Sequence, residues 1–471
     1  MSKFFFADEK PALTSFFLVA ARRMAILFPL AGTVSISAIA VVKILLLIFW
    51  LFSGDWKSRI KMCRQNPVML ILILLIFWTF IGVIRWAITD ADMILPALSH
   101  WWSRYSFFCL LILATLYFDK KTRIKALAMF NVAMLIFCVN LLLVRNGVWT
   151  NDKPSCFLLF NTITTGLVLV MWSAVWLLYS FQSRNIPLVR RILPVSFLIG
   201  MKVAARTSLI DLFIALIPFV RVKRLPVFGI IFALVRWGVV CLIIYFVFVL
   251  NPSRTAQLAM TAVIVSGLLM WKGRKGLVIA IVLIACILGM ALSNKAFVKK
   301  WKATYRGIND VVTKDVDEIG RVQKDRHWIL VKLIPEIKKR PIAGYGLDIK
   351  FKLVSSLLPY SSSKGFIHTH CDFTQIAVQF GLVGLGLFVI FLLVTFFYSA
   401  YTSPPINCFT IAVMLLVVID MLFNVPLYFC RQKYVELFIL AVVISEILYC
   451  RSIRKNRSLE AALIFGGKKE N

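Results

Sequence analysis

The chain is short of acid. Against 54 lysines and arginines stand 21 aspartates and glutamates, a formal charge of +33. Charge of either sign is scarce, 16% of 471 residues, whereas 61% are hydrophobic and 39 are phenylalanine. So few ionised groups cannot solvate the whole surface in water, which excludes an ordinary soluble globule and makes lipid the main solvent. Paired cysteine spacing is missing as well. The ten cysteines are scattered with no C-x-x-C, mostly inside apolar runs where a thiol acts as a small hydrophobe, so neither a zinc ribbon nor a disulfide framework is expected. The N-terminus shows no short apolar core followed by a small-residue cleavage site, so the first apolar stretch reads as a retained span. No internal repeat period stands out. Histidine is nearly absent, four in all, yet His327, His368 and His370 fall in one polar stretch.

What is present is a succession of apolar runs of about 20 residues, each long enough to cross a ~30 Å hydrocarbon core as a helix. They predict an all-α polytopic membrane protein of about 12 transmembrane helices, at 13–33, 34–53, 67–88, 105–118, 126–144, 156–181, 226–250, 255–270, 277–293, 373–399, 405–424 and 432–450. Short Lys/Arg-rich loops, such as Lys57 to Arg64, Lys120 to Lys125 and Arg451 to Arg457, mark the cytoplasmic side. The positive charge therefore reads as an orientation signal, and no nucleic-acid partner is expected. Residues 192–220 are apolar but carry Lys202, Arg206 and Asp211 between two basic flanks; a hairpin there raises the count to 14. The chain divides into an N-terminal bundle (1–293), one large periplasmic loop between the ninth and tenth spans (294–372), C-terminal helices (373–450) and a basic cytoplasmic tail (451–471).

The external loop has pattern of its own. Residues 326–340 place Trp328, Ile329, Leu333 and Ile337 on overlapping helical faces with basic residues following. This predicts an amphipathic helix, lying on the membrane surface or packed on the bundle, bent or ended by Pro335. Arg340-Pro341 then breaks the helix and Gly344-Tyr345-Gly346 permits a tight turn. His370 stands at the return to apolar sequence, and histidine both takes and gives a proton near neutrality. His368, His370 and Asp372 on an extended segment would share one face, but a metal would need a fourth ligand from elsewhere, and no metal is expected. Gly381-x-x-Gly384 opens an apolar helix, where small residues at this spacing read as close helix packing.

The order of these parts resembles the O-antigen ligase family of bacterial inner-membrane glycosyltransferases, with the related O-antigen polymerases and protein O-oligosaccharyltransferases. The parts are Ser253-Arg254-Thr255-Ala256 where a span meets the outside, Gly320-Arg321 in the external loop, and the helix running into Pro341 and Gly344-Tyr345-Gly346. Then come His370, Cys371, nine residues and Gly381-x-x-Gly384. The family carries Asn, Ser or Gln where Cys371 stands. The resemblance implies transfer of O-antigen glycan from undecaprenyl diphosphate to a sugar hydroxyl of lipid A–core, at the periplasmic face of the inner membrane and without a cofactor or metal. It also implies His370 as the base and Arg254 and Arg321 as diphosphate ligands. Chemistry asks for the same parts: guanidinium forks match a diphosphate leaving group, and the attacking hydroxyl must lose a proton. His368, Arg326, Arg206 and Tyr345 are secondary candidates.

Competing readings are a polysaccharide transporter, because Asp211, Asp420 and Glu446 lie in or beside apolar segments, and a scaffold of an envelope polysaccharide machine. Polar density in one lopsided external loop favours an enzyme. Within the family, the basic loop favours a phosphorylated acceptor and hence a ligase over a polymerase.

Overall fold

The structure, a computed structural model, describes residues 12–54, 56–89, 94–145, 254–272, 274–292, 326–346, 371–402, 406–424 and 432–466, with a few isolated positions such as Val298, Trp301 and Leu427. Among the described residues every regular element is a helix. In chain order these are α1 (Ala12–Val34), α2 (Ile36–Phe52), α3 (Trp56–Gln65), α4 (Pro67–Thr89), α5 (Ile94–Arg104), α6 (Phe107–Tyr117) and α7 (Lys120–Arg145). They continue with α8 (Arg254–Lys272), α9 (Arg274–Leu292), α10 (Arg326–Lys339), α11 (Asp372–Ala400), α12 (Ile406–Phe423) and α13 (Gln432–Gly466). Leu13–Val34, Pro67–Arg85 and Asp372–Ala400 are each long and apolar enough to cross a membrane, and α2 and α3, bent by 105°, pass the same test together. The expected spans at 156–181 and 226–250, and the 192–220 segment, lie outside the described residues.

The first part of α13 is the hub. Every residue from Gln432 to Leu448 is buried, and among them the polar Gln432, Lys433 and Glu446 find partners within the bundle, as buried polar groups must. It packs against α1, α6, α11 and α12. The outward faces of α1, α2, α4 and α9 carry exposed Leu, Ile, Val and Phe, as lipid-facing helices do.

One expected span is shorter than a membrane crossing and another is broken. The run at 105–118 yields only α6, 11 residues or ~16 Å at 1.5 Å per residue, joined to α5 through Tyr105 and Ser106. Such a break frees backbone carbonyls that must find donors. Here two buried lysines supply them: Lys43 Nζ donates to Trp102 O (2.5 Å) and Ser106 Oγ (2.9 Å), and Lys433 Nζ donates to Ser103 O. The Lys43 ammonium also lies 5.0–5.6 Å from the ring centroids of Trp102, Phe108 and Tyr434, a cation–π setting. The run at 373–399 is α11, which is interrupted at Gly381 (φ 69°, ψ −172°).

Candidate functional site

Cys371 is the extended N-cap of α11 (φ −151°, ψ 121°), and the residue after it, Asp372, belongs to a buried polar cluster. Asp372 is buried at 1% exposure. Its amide donates to Asn424 O (3.2 Å), and its Oδ2 accepts from the Leu427 amide (3.1 Å). Asn424 Nδ2 donates to Asp420 Oδ1 (2.7 Å), and Gln432 Nε2 donates to both Asp420 Oδ2 and Glu436 Oε1 (3.1 Å). Buried carboxyls are costly unless hydrogen-bonded. The network therefore ties the start of α11, the end of α12 and the first turn of α13 into one polar floor. Seven residues into α11, Gln379 Oε1 accepts from the Tyr105 hydroxyl at the α5–α6 break.

The second feature is an interlock between the turn at 341–346 and α11. At Gly381 the helical ladder stops, and its freed groups are taken up from outside. Tyr345 N donates to Val378 O (2.9 Å), Gly346 N to Gln379 O (2.9 Å), and Trp78 Nε1 of α4 to Phe380 O (3.0 Å). In return Leu382 N donates to Pro341 O (2.6 Å). Both glycines are obligatory at this contact. Gly344 and Gly381 have φ of +63° and +69°, where a side chain is strained. A Cβ on Gly344 would lie 2.6 Å from the Gln379 backbone, and one on Gly381 would lie 2.1 Å from Ile342 O. The G-x-G turn and the first glycine of G-x-x-G are thus partners of each other. Gly384 does serve close packing, its Cβ position lying 3.2 Å from Trp78.

The turn is held from above by α10, which runs on through Pro335 to Lys339 and packs on α11. Leu333 is fully buried. Tyr345 Oη donates to Glu336 Oε2 (2.6 Å), Lys339 Nζ to Glu336 Oε1 (2.6 Å), and the Arg340 guanidinium lies 4.7 Å from the Tyr345 ring centroid. The Lys339 and Tyr345 donors hold the Glu336 carboxyl below its ordinary range, and burial with the Glu336 bond pushes the Tyr345 phenol up. Arg85, at the end of α4, donates Nη1 to Gly344 O (3.3 Å). Lys338, Lys339, Arg340 and Arg85 are all exposed, a cationic rim suited to phosphate oxygens.

His368, His370, Arg321 and Arg206 lie outside the described residues. Arg254 and Arg326 open α8 and α10, with side chains outside what is described. Tyr345 has its hydroxyl on Glu336. The helices next to two predicted positions share a packing partner. One turn into α8, Gln257 Oε1 accepts from Trp301 Nε1 of the external loop (3.2 Å), and α8 packs along α12, whose end holds Asp372. The helix that Arg254 opens and the helix that begins at Asp372 both pack on α12. Sequence reasoning passed over Arg85, Tyr105 and Lys43. Lys43 and Arg85 are cations inside apolar runs, and that was the available signal for them.

Residues 237–389, about a third of the chain, match the family model described as O-antigen ligase. The matched segment encloses Arg254, Arg321, His370 and both interlocked glycines. No curated protein matches the chain.

Proposed function

We propose that this chain, whose residues 237–389 match the O-antigen ligase model, is an inverting glycosyltransferase that moves O-antigen glycan from undecaprenyl diphosphate onto a sugar hydroxyl of lipid A–core at the periplasmic face of the inner membrane. His370 takes the proton of the acceptor hydroxyl as its oxygen bonds to the anomeric carbon. The bond to the diphosphate breaks from the opposite face, its electron pair leaving on phosphate oxygen, and Arg254 and Arg321 bind the charge that grows there. Arg326, and Arg206 if it faces outside, are further phosphate ligands, with the exposed Arg85, Lys338 and Arg340 adding to the positive field over the site. No residue role here calls for a metal.

The observation that carries this reading is that the family match encloses His370, Arg254 and Arg321 in order. The helix that Arg254 opens and α11, which begins at Asp372, both pack on α12. Two of the three acids that motivated a transporter have local partners: Asp420 accepts from Asn424 and Gln432, and Glu446 pairs with Arg123 at 2.8 Å; Asp211 lies outside the described residues.

The test is transfer by the purified protein in proteoliposomes carrying lipid-linked glycan and lipid A–core. His370→Ala, Arg254→Ala and Arg321→Ala should each lower the rate by about 10²–10³ while the protein still inserts, with EDTA without effect. Near-normal transfer by His370→Ala would sink the assignment. A deletion strain whose lipid A–core carries a single repeat unit would make the protein a polymerase, whereas bare lipid A–core beside long carrier-bound chains is the ligase result.

A further inference from the structure

We propose that the interlock of Pro341–Gly346 with the break at Gly381 positions the external loop for transfer, making Gly344, Gly381 and Arg85 positioning residues. This rests on the functional reading above. Five contacts fasten one short turn. Three are the backbone bonds of Tyr345, Gly346 and Leu382. The others are Arg85 Nη1 on Gly344 O and the Tyr345 hydroxyl on Glu336. Trp78 meanwhile fixes the α11 side of the break through Phe380 O.

Leverage gives the interlock its consequence. α10 has 14 residues, so it is ~21 Å long. The interlock anchors its C-terminal end, whereas Arg326 opens the other, five residues after Arg321 in the sequence. A tilt of ~10° at the anchor moves the far end by ~3–4 Å over that length. A misplacement of ~1 Å in a reacting constellation already costs about 10²-fold in rate. A loose loop would leave the arginines present but out of register with a diphosphate. The same anchor joins the loop to α11, the helix that follows His370, so acid–base and charge-binding parts are referred to one fixed point.

The experiment uses the full-length protein in nanodiscs with two independent readouts. Amide exchange at Tyr345, Gly346 and Leu382, with trypsin cleavage after Lys338 and Lys339, reports the interlock. Steady-state transfer, resolved into kcat and donor KM, reports its role. Gly344→Ala should speed exchange at those three amides at least tenfold and lower kcat by about 10²-fold, with donor KM changed less than about threefold. Arg85→Ala, which leaves the backbone bonds in place, should lower kcat several-fold. Arg85→Lys, which keeps a donor for Gly344 O, should recover most of it. Gly386→Ala is the control, since a Cβ there meets nothing within 4 Å, and both readouts should stay at wild-type values. Unchanged exchange in Gly344→Ala overturns the interlock. Faster exchange with unchanged kcat, in a protein that His370→Ala inactivates, overturns the positional role alone. If His370→Ala itself keeps full transfer, the functional reading falls and the positional role falls with it.

Discussion

At the scale of single residues, environment decides reactivity more than residue type does. Cys63 on α3 is half-buried, and burial pushes its thiol up to about 11, with Arg59 pulling part of the way back. The thiolate is the reactive species, so maleimide should label Cys63 slowly at pH 7 even in permeabilised membranes. The rate should rise about tenfold per pH unit until about pH 11; fast labelling at neutral pH would show that the thiol is open to water. Glu336 runs the other way. Its carboxyl is held below the ordinary range by Lys339 and Tyr345, so its contribution to the loop anchor is complete above the ordinary carboxylate value and lost as pH falls through the depressed one. Amide exchange at Tyr345 should therefore be insensitive to Glu336 protonation at neutral pH, and Glu336→Gln should mimic acid by speeding it. Equal exchange in wild type and Glu336→Gln at pH 7 would remove Glu336 from the anchor.

At the scale of elements, the pair of α7 and α13 offers a clean energetic test. Arg123 and Glu446 are 1% and 2% exposed at 2.8 Å, and Arg123 Nη1 also donates to Tyr117 O (2.9 Å). Breaking a buried pair leaves an uncompensated charge, which costs about 3–5 kcal/mol, whereas replacing both partners by apolar groups is near neutral. Glu446→Leu alone should lower the thermal midpoint in detergent markedly, and Arg123→Met with Glu446→Leu should recover most of it; additive losses would argue against a paired role. Helix positions were legible because a 20-residue apolar run has few other solutions: 12–34, 67–89, 254–272 and 274–292 lie within a few residues of expectation. The breaks were not. Gly381 sits in a run that stays apolar on both sides, and its partner turn is 37 residues upstream, so neither motif announces that it caps the other. Pro335 reads as a bend or stop because its ring removes one helical donor, yet α10, packed on α11 with Leu333 and Glu336 buried, continues four residues further.

At the scale of the whole molecule, orientation is the property on which the proposed site depends. Charge in the short loops predicts Cys63 and Cys450 inside and the 326–346 segment outside. Native Cys371 is a poor reporter, being only 9% exposed. With Lys338→Cys, an impermeant thiol reagent on spheroplasts should label position 338 and spare Cys450; the opposite pattern would place the loop in the cytoplasm. The two buried lysines carry a consequence for biogenesis. A lysine at the centre of a span costs ~2.5–3.5 kcal/mol to insert, and Lys43 finds its carbonyl 59 residues downstream, while that same break also needs Lys433, 330 residues from Ser103. The second helix therefore leaves the ribosome long before its charge can be satisfied, and the break that receives it stays incomplete until nearly the last helix is made. Nascent chains ending before α13 should be substrates for membrane quality control, so the cell would meet this protein either whole or not at all.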